Sequence, residues 1–228
     1  MEHNLQSEIM EKLQPHVIFK IPVFGGIGVT DAVVVTWIIM LFLVLSSILL
    51  VRNFKTVPTG TQNVIEVLVD TLNNFIKGII GHQWRVFAPY LGTVALYLIV
   101  ANTISIFGFT PPTKDLNVTA ALSIMTIAIV IGAGIRFKGL RGWLNSFKEP
   151  IPVILPMKIL ELFVRPLSLS MRLFGNILGS YVIMELLYQV IPIAVPAVLS
   201  IYFDIFDGLI QMVVFVFLSA LFIREAIE

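Results

Sequence analysis

Arg172 stands in the run Pro166-Leu167-Ser168-Leu169-Ser170-Met171-Arg172-Leu173-Phe174-Gly175-Asn176, deep inside an apolar helical pattern. An arginine at the middle of a bilayer costs from about 3 kcal/mol on insertion scales to more than about 10 kcal/mol on an isolated helix. It cannot escape that cost by losing its proton, because its pKa exceeds about 12. Snorkelling to the headgroups from a helix end is a poor explanation, since about fifteen residues of helical pattern flank it on either side. At about 100° per residue, Glu161, Arg165, Ser168, Arg172, Asn176 and Gly179 fall within about 40° of one line, and Gly175 lies one step aside. A polar stripe of this kind marks a helix face turned away from lipid. Gly175 and Gly179 remove bulk from it, so that another helix can pass close by. Tight packing between helices of this same chain is the competing explanation for the glycines.

A second stripe follows in the last apolar segment. Asp204, Asp207, Gly208 and Gln211 are spaced i, i+3, i+4, i+7 and should share one helical face. Two carboxylates one turn apart repel, which suits groups that take up and release protons. Their competing readings are a salt bridge to Arg165 or a place at the aqueous boundary. Glu185 lies about 20 Å along the axis from Arg172, and Glu161 about 16 Å away on the other side. Carboxylates on both sides of a permanent central charge are what two offset half-channels would need, with the arginine dividing them electrostatically.

The elements that must position these groups are membrane helices. The chain has 228 residues, of which 57% are hydrophobic and 13% charged, against roughly half and a quarter in a soluble domain. The pattern predicts an all-α integral membrane protein with about five transmembrane crossings, an amphipathic interfacial helix and two long polar-bearing C-terminal helices. Residues 1–31 form an N-terminal segment. The spans fall at 32–51, 86–109 and 118–135, and the long helical hairpin at 157–190 and 197–223. Each span suffices to cross about 30 Å of hydrocarbon. Between the first two, residues 62–81 place Val64, Leu68, Leu72, Phe75 and Ile79 on one stripe. Glu66, Asp70, Asn73, Asn74 and Lys77 lie off it, as in a helix lying on a membrane or a partner. Turns are expected at Pro58-Thr59-Gly60, at Pro111-Pro112, at Pro150, Pro152 and Pro156, and at Pro192 and Pro196. Arg52, Lys55, Lys77 and Arg85 precede the second span, while Arg136, Lys138, Arg141 and Lys148 follow the third. The positive-inside rule then puts the N-terminus outside and the C-terminus in the cytoplasm.

Several functions are disfavoured. A net charge of +1 without a basic run interleaved with aromatics argues against nucleic acid. No cysteine is present and the three histidines are far apart, so no metal-ligand pattern emerges. No phosphate-cradling Gly loop is found, so the chain handles no nucleotide and has no catalytic site of its own. No cofactor is expected.

The run from Arg165 to Gly179, Arg-Pro-Leu-Ser-Leu-Ser-Met-Arg-Leu-Phe-Gly-Asn-Ile-Leu-Gly, resembles the signature of the ATP synthase subunit a family, with its membrane arginine at Arg172. Gln211 resembles the family's glutamine in the last helix. The topology, the length, the amphipathic second segment and the turn at Pro58 to Gly60 are similar as well, so the likeness covers nearly the whole chain. It implies the stationary half of a rotary ion-driven machine in a bacterial cell membrane, where c-ring hairpins carrying a membrane carboxylate pass the arginine face. By this likeness Arg172 attracts the deprotonated carboxylate and blocks leakage. Arg172, Asn176, Glu161, Glu185, Asp204, Asp207 and Gln211 serve ion translocation, and Ser168, Gly175 and Gly179 contact the ring. The implied partners are the c-ring, peripheral-stalk subunit b, membrane lipid, and H+ or Na+. Two departures stand out. Many bacterial members carry an acid where this chain has Ser180 and Tyr181, a duty that Glu185 would take over. Many carry His or Glu where this chain has Asp204.

A stand-alone channel or secondary transporter would also use intramembrane Arg and Asp. Against it, the two halves lack the corresponding broken segments of inverted-repeat transporters. A passive membrane scaffold would leave Arg172, Asp204 and Asp207 without a reason to be desolvated.

Overall fold

The computed structural model describes residues 17–21, 27–52, 60–146, 155–190 and 199–228. The chain is an all-α membrane protein apart from two short antiparallel strands, β1 (Val17–Ile21) and β2 (Ile27–Thr30), which pair Val17 with Thr30 and Phe19 with Val29. Those strands were not expected. They lead straight into α1 (Asp31–Val51), whose Asp31 Oδ1 accepts from the Ala32 N–H in the half-buried first turn.

Five stretches among the described residues are long and apolar enough to cross a membrane: Asp31–Val51, Thr61–Phe107, Leu116–Asn145, Leu155–Leu187 and Ile201–Ile227. The second holds two elements, α2 (Thr61–Ile80) and α3 (Trp84–Thr103). They are separated at Gly81, whose φ of 77° is a left-handed value that glycine adopts without strain. Gly60, with φ of 62°, starts α2 at the expected turn; Pro58 and Thr59 lie outside the described residues.

Only the second half of the α2 stripe packs. Ile76 and Ile80 are buried and Leu72, Phe75 and Ile79 join them against the core, whereas Val64 and Leu68 stay exposed. The α2 helix packs against α3 and α6, and its buried apolar residues, Ile76 and Ile80, lie in its last turns.

After α3, a 3₁₀ turn (Ile104–Phe107) ends at Gly108, and a second short turn (Pro112–Lys114) leads into α4 (Leu116–Ser146). Gly139 breaks α4 with φ of 72° and ψ of 162°. The chain beyond folds back so closely that a Cβ on Gly134 would lie 2.6 Å from Trp143 Cδ1. The Pro-rich turn at 150–152 lies outside the described residues; Pro156 falls in the first turn of α5 (Leu155–Val190). The turn at Pro192 and Pro196 is likewise outside them. A π-helical segment, Ile201–Asp207, then runs directly into α6 (Gly208–Ile227).

α6 lies in the middle, touching α2, α3, α4 and more sparsely α5, while α5 is held chiefly by α4, and α1 equally by α3 and the turn at Pro112–Lys114. Ile39, Ile76, Leu91, Leu98, Leu173, Val216 and Ile223 are fully buried along this centre. Most of α1 is exposed apolar surface, the composition of a helix solvated by lipid. Hydroxyls in the spans bond to their own helices: Thr36 to Ala32 O, Thr103 to Ile99 O, Thr126 to Leu122 O and Ser219 to Phe215 O. Such internal bonds are what a polar group needs where no water competes.

Candidate ion path

Which face α5 turns outward is settled by its inner contacts. Leu169, Ser170, Leu173 and Ile177 are buried, and Ser170 Oγ lies 3.2 Å from Thr119 Oγ1 of α4. The opposite face therefore carries Ser168, Arg172, Gly175, Asn176 and Gly179, all exposed. Arg172 forms no ion pair among the described residues. A Cβ built on Gly175 or Gly179 would meet nothing within 4 Å. Among the described residues, close packing within this chain thus does not account for these glycines, and the stripe is left uncovered.

Two polar cavities flank this arginine along α5. The first, about 290 Å3, is lined by Ile177, Ser180, Tyr181, Met184 and Glu185 of α5, by Asn102 and Ser105, by the loop from Gly108 to Pro111, and by Phe203 and Asp204. It unites Glu185 and Asp204, which lie on different helices. Ser105 Oγ donates to Asp204 Oδ1 at 2.7 Å. Asn102, buried, donates from Nδ2 to the Gly208 carbonyl at 3.2 Å and accepts from Thr113 Oγ1 at 3.0 Å. The approach of α3 to α6 there requires glycine, since a Cβ on Gly208 would lie 2.9 Å from Asn102 Cβ.

The π-helical segment alters the expected single stripe. Its wider turn changes the phase between Asp204 and the α-helix that follows. Asp204 enters the cavity, whereas Asp207 is half-buried and is not part of its lining. Gln211 is buried one turn further on, and its side chain makes no hydrogen bond among the described residues. Neither Asp204 nor Asp207 pairs with Arg165.

The second cavity, about 130 Å3, lies on the other side of Arg172 and is lined among others by Lys138, Trp143, Lys158, Glu161, Arg165 and Glu225. Here Arg165 is captured: its Nη2 donates to Glu161 Oε1 at 2.6 Å and to the two Glu225 oxygens at 2.7 and 2.8 Å. The guanidinium also stands 4.7 Å from the Phe222 ring centroid. Glu161, expected as a carboxylate of the path, is therefore tied to a fixed cation and to the end of α6. Among the described residues no group of three or more His, Asp or Glu is gathered as a metal site would need.

Asn102, Ser105 and Glu225 were not singled out from the sequence. The signal was available for the first two, because Asn and Ser three residues apart inside an apolar span fall on one helix face. Glu225 carried none, being one of several charges at a helix end.

Comparison with known proteins identifies the family. The family model described as ATP synthase A chain matches residues 33–224. The chain is 35% identical over 221 residues to the ATP synthase subunit a of Moorella thermoacetica, covering 96% of this chain and 99% of that one. It is 33% identical over 218 residues to the sodium-ion-specific ATP synthase subunit a of Propionigenium modestum, covering 89% of this chain and 75% of that one. With an unpaired membrane arginine between two polar cavities and a family match running nearly from end to end, the chain belongs to the ATP synthase A chain family.

Proposed function

We propose that the two cavities are the half-channels through which an ion reaches and leaves carboxylates on a rotating c-ring, and that Arg172 stands between them as the electrostatic divider. Arg172 carries this reading: it is exposed near the middle of a membrane-length helix and makes no ion pair among the described residues. A cation left so in lipid is costly, and a mobile anion outside this chain removes the cost. Ser168, Asn176, Gly175 and Gly179 share its face and form the surface against which the ring turns. Glu185 and Asp204 serve the first half-channel, Glu161 the second, and Asp207 and Gln211 of the last helix also serve ion translocation.

The N-terminus and the first cavity are placed outside and the C-terminus in the cytoplasm of a bacterial cell, by the basic residues after the first and third spans. Residues 1–31 precede the first crossing on the outer side, α2 lies at the interface, and α5 with α6 forms the hairpin facing the ring. Subunit b of the peripheral stalk and membrane lipid cover other faces. The coupling ion is H+ in this reading. Na+ is the second reading, favoured by the relative named as sodium ion specific.

The test is Arg172→Ala in the assembled complex. Ion-coupled ATP synthesis should disappear while the protein remains inserted; synthesis at the parental rate would refute the role assigned to Arg172.

A further inference from the structure

We propose that Lys114 is a positioning residue of the outer cavity: seated on the face of Tyr181, it braces the loop between α3 and α4 across the rim and keeps a positive charge at the mouth. The loop supplies Thr110 and Pro111 to the cavity wall and is pinned from three sides. Thr113 Oγ1 donates to Asn102 Oδ1 at 3.0 Å, which fastens it to α3. Thr30 Oγ1 donates to Asp115 Oδ2 at 3.3 Å, which fastens it to the head of α1. Lys114 Nζ lies 3.7 Å from the centroid of Tyr181, which fastens it to α5, the opposite wall.

An ammonium at this distance over a ring face is a favourable cation–π geometry. Tyr181 is itself part of the cavity lining, together with Glu185 one turn along. The brace thus does two things at once. It fixes the gap between loop and helix, and it sets a cation beside the route that any charged species must take to Asp204.

The chain has no cysteine, so a single thiol can be placed as a reporter. Ser180→Cys puts it in the cavity wall, and the assembled complex in detergent is treated with two methanethiosulfonates of similar size, one cationic and one anionic. Labelling is read on this chain alone. With Lys114→Met, or Lys114→Gln should the first not assemble, the cationic reagent should react faster and the anionic one slower. Each change should be at least about twofold, the effect of a unit charge about 8 Å away at the dielectric of bulk water. Lys114→Arg should restore the parental rates. Tyr181→Leu should move both rates in the same sense as Lys114→Met, and Tyr181→Phe should not, because the ring face survives. Unchanged rates on loss of the Lys114 charge, or equal behaviour of Tyr181→Leu and Tyr181→Phe, would overturn the proposal. Its meaning for transport rests on the half-channel reading, but the labelling does not. If Arg172→Ala left synthesis intact, the path would fall while these rates would still report on Lys114.

Discussion

Arg165 and Arg172 sit two turns apart on nearly the same line of α5, yet they live in opposite circumstances. Arg165 is wrapped by Glu161, Glu225 and the Phe222 ring, so its charge is consumed within the chain. Arg172 has no such company among the described residues. The difference lies in the acids at hand: α5 places Glu161 one turn before Arg165 and α6 ends beside it with Glu225, whereas Ser168 stands one turn before Arg172. At this scale the carboxylate in the first cavity is the next test. Asp204→Asn keeps the shape and the Ser105 contact but removes the ionisable group, whereas Leu209→Ala alters an exposed side chain on the next turn. Translocation by reconstituted complex should therefore slow more with Asp204→Asn than with Leu209→Ala, by about a hundredfold or more for a group that transfers the proton. Equal rates would take Asp204 off the path.

At the scale of the helices, two glycines invite opposite substitutions. Gly179 faces open space, so Gly179→Leu should leave the fold of this chain intact and yet cut ATP synthesis at least about tenfold by fouling the ring surface; thermal unfolding in detergent and synthesis in vesicles separate the two effects. Gly208 is in contact with Asn102, so Gly208→Ala should lower stability by about 1–3 kcal/mol through overpacking, visible as a lower midpoint of unfolding. The difference shows what was legible beforehand. The five crossings, the amphipathic α2 and the outward stripe around Arg172 follow from apolar run length and 3.6-residue periodicity, both properties of one segment at a time. The meeting of Glu185 with Asp204 depends on how α5 and α6 pack, and the fate of Glu161 depends on Glu225, 60 residues or more away. The π-helical segment was hidden too, because it leaves no pattern in side-chain types and yet changes the phase of Asp204 against Asp207, of which Asp204 alone lines the cavity.

For the whole molecule, ATP-driven pumping by reconstituted complex should proceed without added Na+ and without a dependence on its concentration; an absolute need for Na+ would turn the coupling ion over to the second reading. The geometry of α5 bears on a different matter. Its 36 residues extend about 54 Å, while the hydrocarbon layer is only about 30 Å thick. Such a rod either protrudes or leans, and leaning is the usual response to excess length. A leaning α5 puts its two cavities over different points of the membrane plane as well as at different depths. In the proposed function, a carrier going from one to the other would then travel sideways around the ring, so the sense in which this helix slants would decide whether inward flow turns the rotor clockwise or anticlockwise.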